Sequence, residues 1–251
     1  MRLLKIKLQR ILRMPLLFAL FGFFSCVILS VVYNFEDATK THCNVPNYIP
    51  SISTSIGDFR PQTYIWRICI ALHCFPRIMI SIFYFNYYAL KLKDPPSTQF
   101  TILNGLNSLL TILEILALLV LTYVSSRENF GIHENAFISF MVCSMCYMLT
   151  TCILFKWTSK DPMTNEEVKS FKRKIYLMIT NYSSFALAVY FYFRHNWYCE
   201  PGIYSLFAVC EYSAVLSNIF FHQQSYNVVK DSYLLIIDEH QLLEGKGKLN
   251  V

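Results

Sequence analysis

Charge is the first thing this chain lacks. Only 15% of its 251 residues are Asp, Glu, Lys or Arg, against 55% hydrophobic, and the mean hydropathy is +0.38. Soluble domains carry about a quarter charged residues, so a membrane-embedded domain is expected and no separate soluble one. Glycine is scarce as well, with 7 residues and no Gly-rich loop that could cradle a phosphate. The HExxH pattern is absent and the Cys and His spacings do not suit zinc, so no metal site is expected. No internal repeat is visible and the apolar blocks do not pair as inverted halves, which argues against a secondary transporter. Residue 2 is Arg, not the Gly needed for myristoylation, and no C-terminal prenylation motif is present. The net charge of +6 comes from basic residues flanking apolar blocks. That is the pattern of topology determinants, and no basic polar face for nucleic acid is found.

What is abundant is clustered apolar sequence. A membrane-spanning helix needs roughly 20 mostly apolar residues. Six blocks qualify, at about 14–33, 64–88, 102–124, 134–157, 175–193 and 201–222. The first follows a basic, amphipathic segment, 1–13, and could be a signal peptide. It is longer than a signal core, however, and no cleavage site follows, so it reads as a retained span. The tail, 223–251, is polar and expected to be poorly ordered. Of the 22 Lys and Arg residues, 16 fall in segments 1–13, 89–100, 156–174 and 223–251. Only Lys40, Arg60, Arg127 and Arg194 fall in the alternate loops, and Arg67 and Arg77 lie within the second block. The positive-inside rule then places both termini in the cytosol and loops 34–63, 125–133 and 194–200 in a lumen or outside. The expected fold is an all-α membrane protein, a bundle of six transmembrane helices forming one domain over 14–222.

Ionisable residues inside those blocks are the candidates for function, because such groups are costly in hydrocarbon. At about 1.5 Å rise per residue, His73, Arg77, Glu114 and Glu211 share the middle third of the bilayer. Arg67 lies near the luminal interface, within reach of a lipid phosphate. One reading is a fold-specifying buried network with Arg77 paired to an acid. The other makes His73 a general base, or makes these charges a cradle for a polar lipid head group. A second set faces the lumen: Asn47, Ser51, Ser53, His133-Glu134-Asn135 and Arg194-His195-Asn196. These could form a lipid-processing site or could be ordinary polar residues at helix ends, with Glu134 complementing a helix dipole. Of nine cysteines, only Cys43 and Cys199 lie in luminal loops, and an oxidising lumen would join them. Cys143 and Cys146 form a CxxC inside an apolar block, where packing is the expected role. The sequon at Asn181 also lies within a block.

Several stretches carry a resemblance: THCNVPNYIPSISTSIG (41–57), YIWRICIALHCFPR (64–77), LALLVLTYVSS (116–126), IHENAFI (132–138), AVYFYFRHNWYCEPGIYSLFAVCEY (188–212) and FFH (220–222). They resemble the animal post-GPI attachment to proteins factor 2 family over about 41–222. More remotely they are similar to the membrane part of a yeast GPI-lipid remodelling protein and to the DRAM-like six-span superfamily. The resemblance implies a Golgi multi-pass membrane protein, with the endoplasmic reticulum as a second location. Its implied role is returning a saturated fatty acid to a lyso-GPI anchor, with GPI lipid and membrane lipids as ligands. Three readings follow. The chain is the acyltransferase itself, or a lipid-binding or partner subunit of an acyltransferase or another remodelling protein, or a DRAM-like membrane regulator. Catalytic candidates are His73, His133, His195, Glu114 and Glu211; head-group candidates are Arg67, Arg77, Arg194, Asn135 and Asn47. No cofactor is expected, and the acyl donor is not identified.

Overall fold

The structure is a computed structural model that describes residues 4–92, 96–159, 162–226 and 233–236. Arg2, Lys93, Lys160, Lys230, Lys246 and Lys248, counted above for orientation, lie outside the described residues, as does most of the tail. The chain runs β1 (Leu4–Lys7), α1 (Leu8–Tyr33), α2 (Phe35–Thr39), α3 (Ile52–Gly57), α4 (Gln62–Lys91), α5 (Thr98–Tyr123), α6 (Phe130–Thr158), α7 (Asn165–Tyr198), α8 (Ile203–Tyr226) and β2 (Tyr233–Ile236). Among the described residues, five helices are long and apolar enough to cross a membrane: α1, α4, α5, α6 and α8. They fit a multi-pass membrane protein. The sixth long helix, α7, has 34 residues but is not among them.

The polarity of α7 has a packing reason. It opens on a capping box in which Thr164 and Glu167 satisfy each other's backbone N–H groups. Further along, Asn181 Nδ2 donates to the Ala214 carbonyl at 2.7 Å, and Ser184 bonds Ser213 at 2.9 Å. Tyr182 donates to the Met145 carbonyl of α6 at 2.7 Å. These polar side chains join α7 to α6 and α8, as expected where apolar solvent gives helices little reason to associate.

Neighbouring helices pack in sequence, α4 on α5, α5 on α6 and α7 on α8, while α1 lies against α4. Gly22 permits the α1–α4 approach, since a Cβ there would come within 2.9 Å of Cys69 Cβ. The main core joins Phe23 and Cys26 of α1, Trp66 and Ile70 of α4, Ile115 of α5, Phe140 of α6 and Ala214 of α8. The short α3 plugs one end of it with Ile52 and Ile56. At the other end, β1 pairs antiparallel with β2, Leu4 opposite Ile236. Four residues of the tail are thus in a ribbon. Its pairing brings the first and last described segments together.

Candidate functional site

One end of the bundle is built from the 40–61 segment and the α7–α8 turn. Cys43 and Cys199 are joined by a disulfide, so the His42, Cys43 and Cys199 cluster holds its sulfurs in that bond. Gly202, at φ +76°, donates its N–H to the Pro46 carbonyl at 2.9 Å, a conformation that glycine adopts without strain. Ser205 accepts from the Tyr48 N–H at 2.7 Å, and Tyr212 donates to the Pro50 carbonyl at 2.7 Å. Glu211 Oε2 accepts from the Ile52 N–H at 2.8 Å. Glu211 therefore caps α3 from within α8, because a helix start leaves N–H groups without intrahelical partners. His195 is fully buried between His42 and Tyr204, with ring centroids at 5.4 and 5.0 Å and no hydrogen bond to either nitrogen among the described residues. Burial, then His42, holds its imidazole below the ordinary value of 6.5.

Near the middle of the bundle lies a second polar cluster. Pro15, inside α1, accepts from His73 Nδ1 at 2.8 Å. A carbonyl can only accept, so this nitrogen carries the proton. The other nitrogen, Nε2, is bare in the neutral ring and takes a hydrogen bond from Arg77 Nη1 at 3.3 Å. Arg77 Nη2 reaches Glu114 Oε2 at 3.0 Å. Asn218 Nδ2 donates to Glu114 Oε1 at 3.0 Å and also bonds Ser144. His222 Nε2 lies 2.6 Å from Arg77 Nη2 and 3.1 Å from Glu114 Oε1, and its ring stacks on Tyr147 at 4.7 Å. All these residues are buried. Breaking such an ion pair by removing one partner costs about 3–5 kcal/mol.

Between this cluster and α3 is a cavity of about 60 Å³, lined by Ile70, Leu118, Phe137, Phe140 and Val215 with Ser53, Trp66, Thr122, Glu211 and Asn218. On that scale a water occupies about 10–15 Å³, so it can hold a few waters or a small polar group. Trp66 Nε1 and Thr122 Oγ1 are buried with no hydrogen-bond partner among the described residues. His73 and Arg77 line its inner end. Ser53, half-buried, lies 3.0 Å from His133 Nε2. His133 Nδ1 donates to the Val124 carbonyl at 2.7 Å, leaving Nε2 bare and facing the hydroxyl. Asp58, whose carboxyl is pushed up by burial against the pull of Arg127 at 3.0 Å, lies nearby.

The remaining expected residues are dispersed. Arg67 pairs with Glu128 at 3.5 Å and donates to the Tyr123 carbonyl, while its Nε has no hydrogen-bond partner among the described residues. Arg194 grips Glu200 through two bonds, 2.6 and 3.1 Å, and that guanidinium holds the Glu200 carboxyl below its ordinary value. Asn135 is exposed, and Asn47 is buried, donating to the Val45 carbonyl at 3.2 Å. Sequence reasoning gave no role to Asn218, His222 or Ser144. The spacing of Glu211, Asn218 and His222, at seven and four residues, places them on one helix face and is the signal that could have found two of them.

Residues 10–227 match the Frag1/DRAM/Sfk1/Cwh43P N-terminal domain. The chain is 42% identical to a Xenopus tropicalis protein named acyltransferase PGAP2, covering 82% of this chain and 81% of that one. It is 44% identical to post-GPI attachment to proteins factor 2 of Caenorhabditis elegans, over 78% of this chain and 76% of that one. It is also 22% identical to protein cwh43 of Schizosaccharomyces pombe, covering 84% of this chain but 19% of that one. No solved structure matches. The match over most of the chain, with these identities, makes this protein a member of the post-GPI attachment to proteins factor 2 family.

Proposed function

We propose that this protein is a GPI-anchor acyltransferase of the Golgi membrane, returning a saturated acyl chain to lyso-GPI. The observation that carries this reading is the Ser53–His133 pair beside a mostly apolar cavity. His133 Nε2 is a proton acceptor held in one orientation by Val124, which is what general-base work on a hydroxyl requires. The relatives' names, acyltransferase and post-GPI attachment factor, supply the substrate class. The reacting ester enters the cavity, and the chains remain among the bilayer lipids around the bundle. Arg67, with its partnerless Nε at the same end, binds the anchor's phosphate. Arg77, His73 and Asn218 line the cavity's inner wall, and Glu114 and His222 behind them hold them in place, without exchanging protons with substrate.

The proposed topology has six passes, with α7 as the sixth and both termini cytosolic. Two features support it. The β1–β2 pairing puts the first and last described segments side by side, which fits an even number of lengthwise passes. The disulfide belongs in an oxidising compartment, so its end faces the lumen, where GPI anchors are. Acyl transfer of this kind needs no cofactor beyond the acyl donor.

The test is reconstitution of the purified protein in liposomes with a lyso-GPI-anchored protein and acyl-labelled phospholipid. The expected result is a two-chain anchor carrying the label. No transfer by the protein alone, with transfer restored by a second purified protein, would assign it an accessory role instead.

A further inference from the structure

The geometry points to Ser53 as the nucleophile that carries the acyl chain between donor and acceptor. This rests on the acyltransferase reading and adds a covalent step to it. Three observations support the assignment. Ser53 Oγ sits 3.0 Å from the bare nitrogen of His133, and the opposite nitrogen is locked by a carbonyl at 2.7 Å. This is nucleophile, base and orienting group in series, with a backbone carbonyl in the third place. Ser53 also lines the cavity. Finally, that cavity is lined by two residues with buried hydrogen-bond donors that have no partner among the described residues, Trp66 Nε1 and Thr122 Oγ1. A buried donor left unpaired costs about 1–3 kcal/mol. An ester carbonyl oxygen entering the cavity is the partner both lack, and its developing negative charge in the addition step would strengthen those bonds.

The steps balance as follows. The donor is a fatty acyl ester, either the oxygen ester of a phospholipid or the thioester of an acyl carrier. Ser53 Oγ adds to the donor carbonyl as its proton passes to His133 Nε2. The C–O or C–S bond breaks, and the leaving alkoxide or thiolate takes the proton from His133. An acyl-Ser53 ester remains. The lyso-GPI glycerol hydroxyl then adds to that ester while His133 accepts its proton. The Ser53 C–O bond breaks, and Ser53 Oγ recovers a proton from His133. The net change is one acyl chain moved and no oxidation.

The experiment incubates purified full-length protein in liposomes with phosphatidylcholine bearing a labelled palmitoyl chain, and in a second arm with palmitoyl-CoA, both without acceptor. The digest is then read by mass spectrometry for an acylated peptide containing Ser53. The expected result is an adduct in one arm, which identifies the donor class, that disappears on adding lyso-GPI and is absent in His133→Asn. Ser53→Ala should lower transfer to lyso-GPI at least 100-fold. Ser53→Cys should keep measurable transfer through a hydroxylamine-sensitive thioester, which separates chemistry from misfolding. Wild-type transfer with no adduct, or full transfer by Ser53→Ala, overturns the covalent step and leaves the acyltransferase reading in place. Absence of transfer by the wild type overturns both.

Discussion

His73 and His133 share one local device. Each donates from Nδ1 to a backbone carbonyl, at 2.8 and 2.7 Å, so each is held in the same tautomer. They differ in what faces the other nitrogen. At His73 it is Arg77, a permanent cation that occupies the lone pair. At His133 it is the hydroxyl of Ser53, a group that can give up a proton. The same residue type and the same anchor thus give an occupied lone pair in one place and, in the proposed mechanism, a base in the other. Depth in the bundle does not set their roles; the partner of the second nitrogen does.

The largest expected effect breaks the His133 side of that comparison. His133→Asn keeps a polar side chain at the site but loses the proton acceptor. Acyl transfer in reconstituted liposomes should fall about 100- to 10,000-fold, while the melting temperature in detergent stays near the wild-type value. Next comes the brace. Arg77→Leu leaves Glu114 charged and unpaired in the core and should cost about 3–5 kcal/mol, read as lost monodisperse protein in detergent. Adding Glu114→Leu should recover much of that stability, because the stranded charge is gone. A smaller loss, about 2–5 kcal/mol, is expected for Cys199→Ser, measured as a lower melting temperature under non-reducing conditions. That change should loosen the 40–51 segment near Ser53 and leave the Arg77 cluster intact.

The smallest effect concerns His195, whose imidazole is held below 6.5 by burial and His42. A buried neutral histidine binds fewer protons than the unfolded chain, so stability falls as pH drops through about 6.5 toward the folded value. Melting temperatures from pH 7.5 to 5.5 should decline in the wild type and decline less in His195→Phe. An unchanged slope in that variant would remove His195 as the source.

Much of this was legible in the sequence. Of six apolar blocks, five mark helices that fit membrane spans, and Cys43 and Cys199, the pair expected from their loop positions, are bonded. That Arg77 pairs with an acid follows from the cost of a lone charge in hydrocarbon, and that acid is Glu114. What the sequence did not show is orientation around each helix. Ser53 and His133 are 80 residues apart and meet only because α3 folds back into the bundle end, where Glu211 caps it. Glu211 reads as a mid-membrane acid because depth counts rise along one helix and cannot see a loop dipping to meet it. Arg194 reads as a head-group ligand, but Glu200, six residues on, occupies it through a turn that no helical spacing encodes.

The central claim is that the working histidine is His133 and not His73. The direct measurement expresses His133→Asn and His73→Asn in cells lacking the protein, matches their folded amounts, and determines the acyl composition of released GPI anchors. The account predicts that anchors from His133→Asn cells lack the restored saturated chain, while His73→Asn restores it in proportion to folded protein. Full restoration by His133→Asn would contradict it.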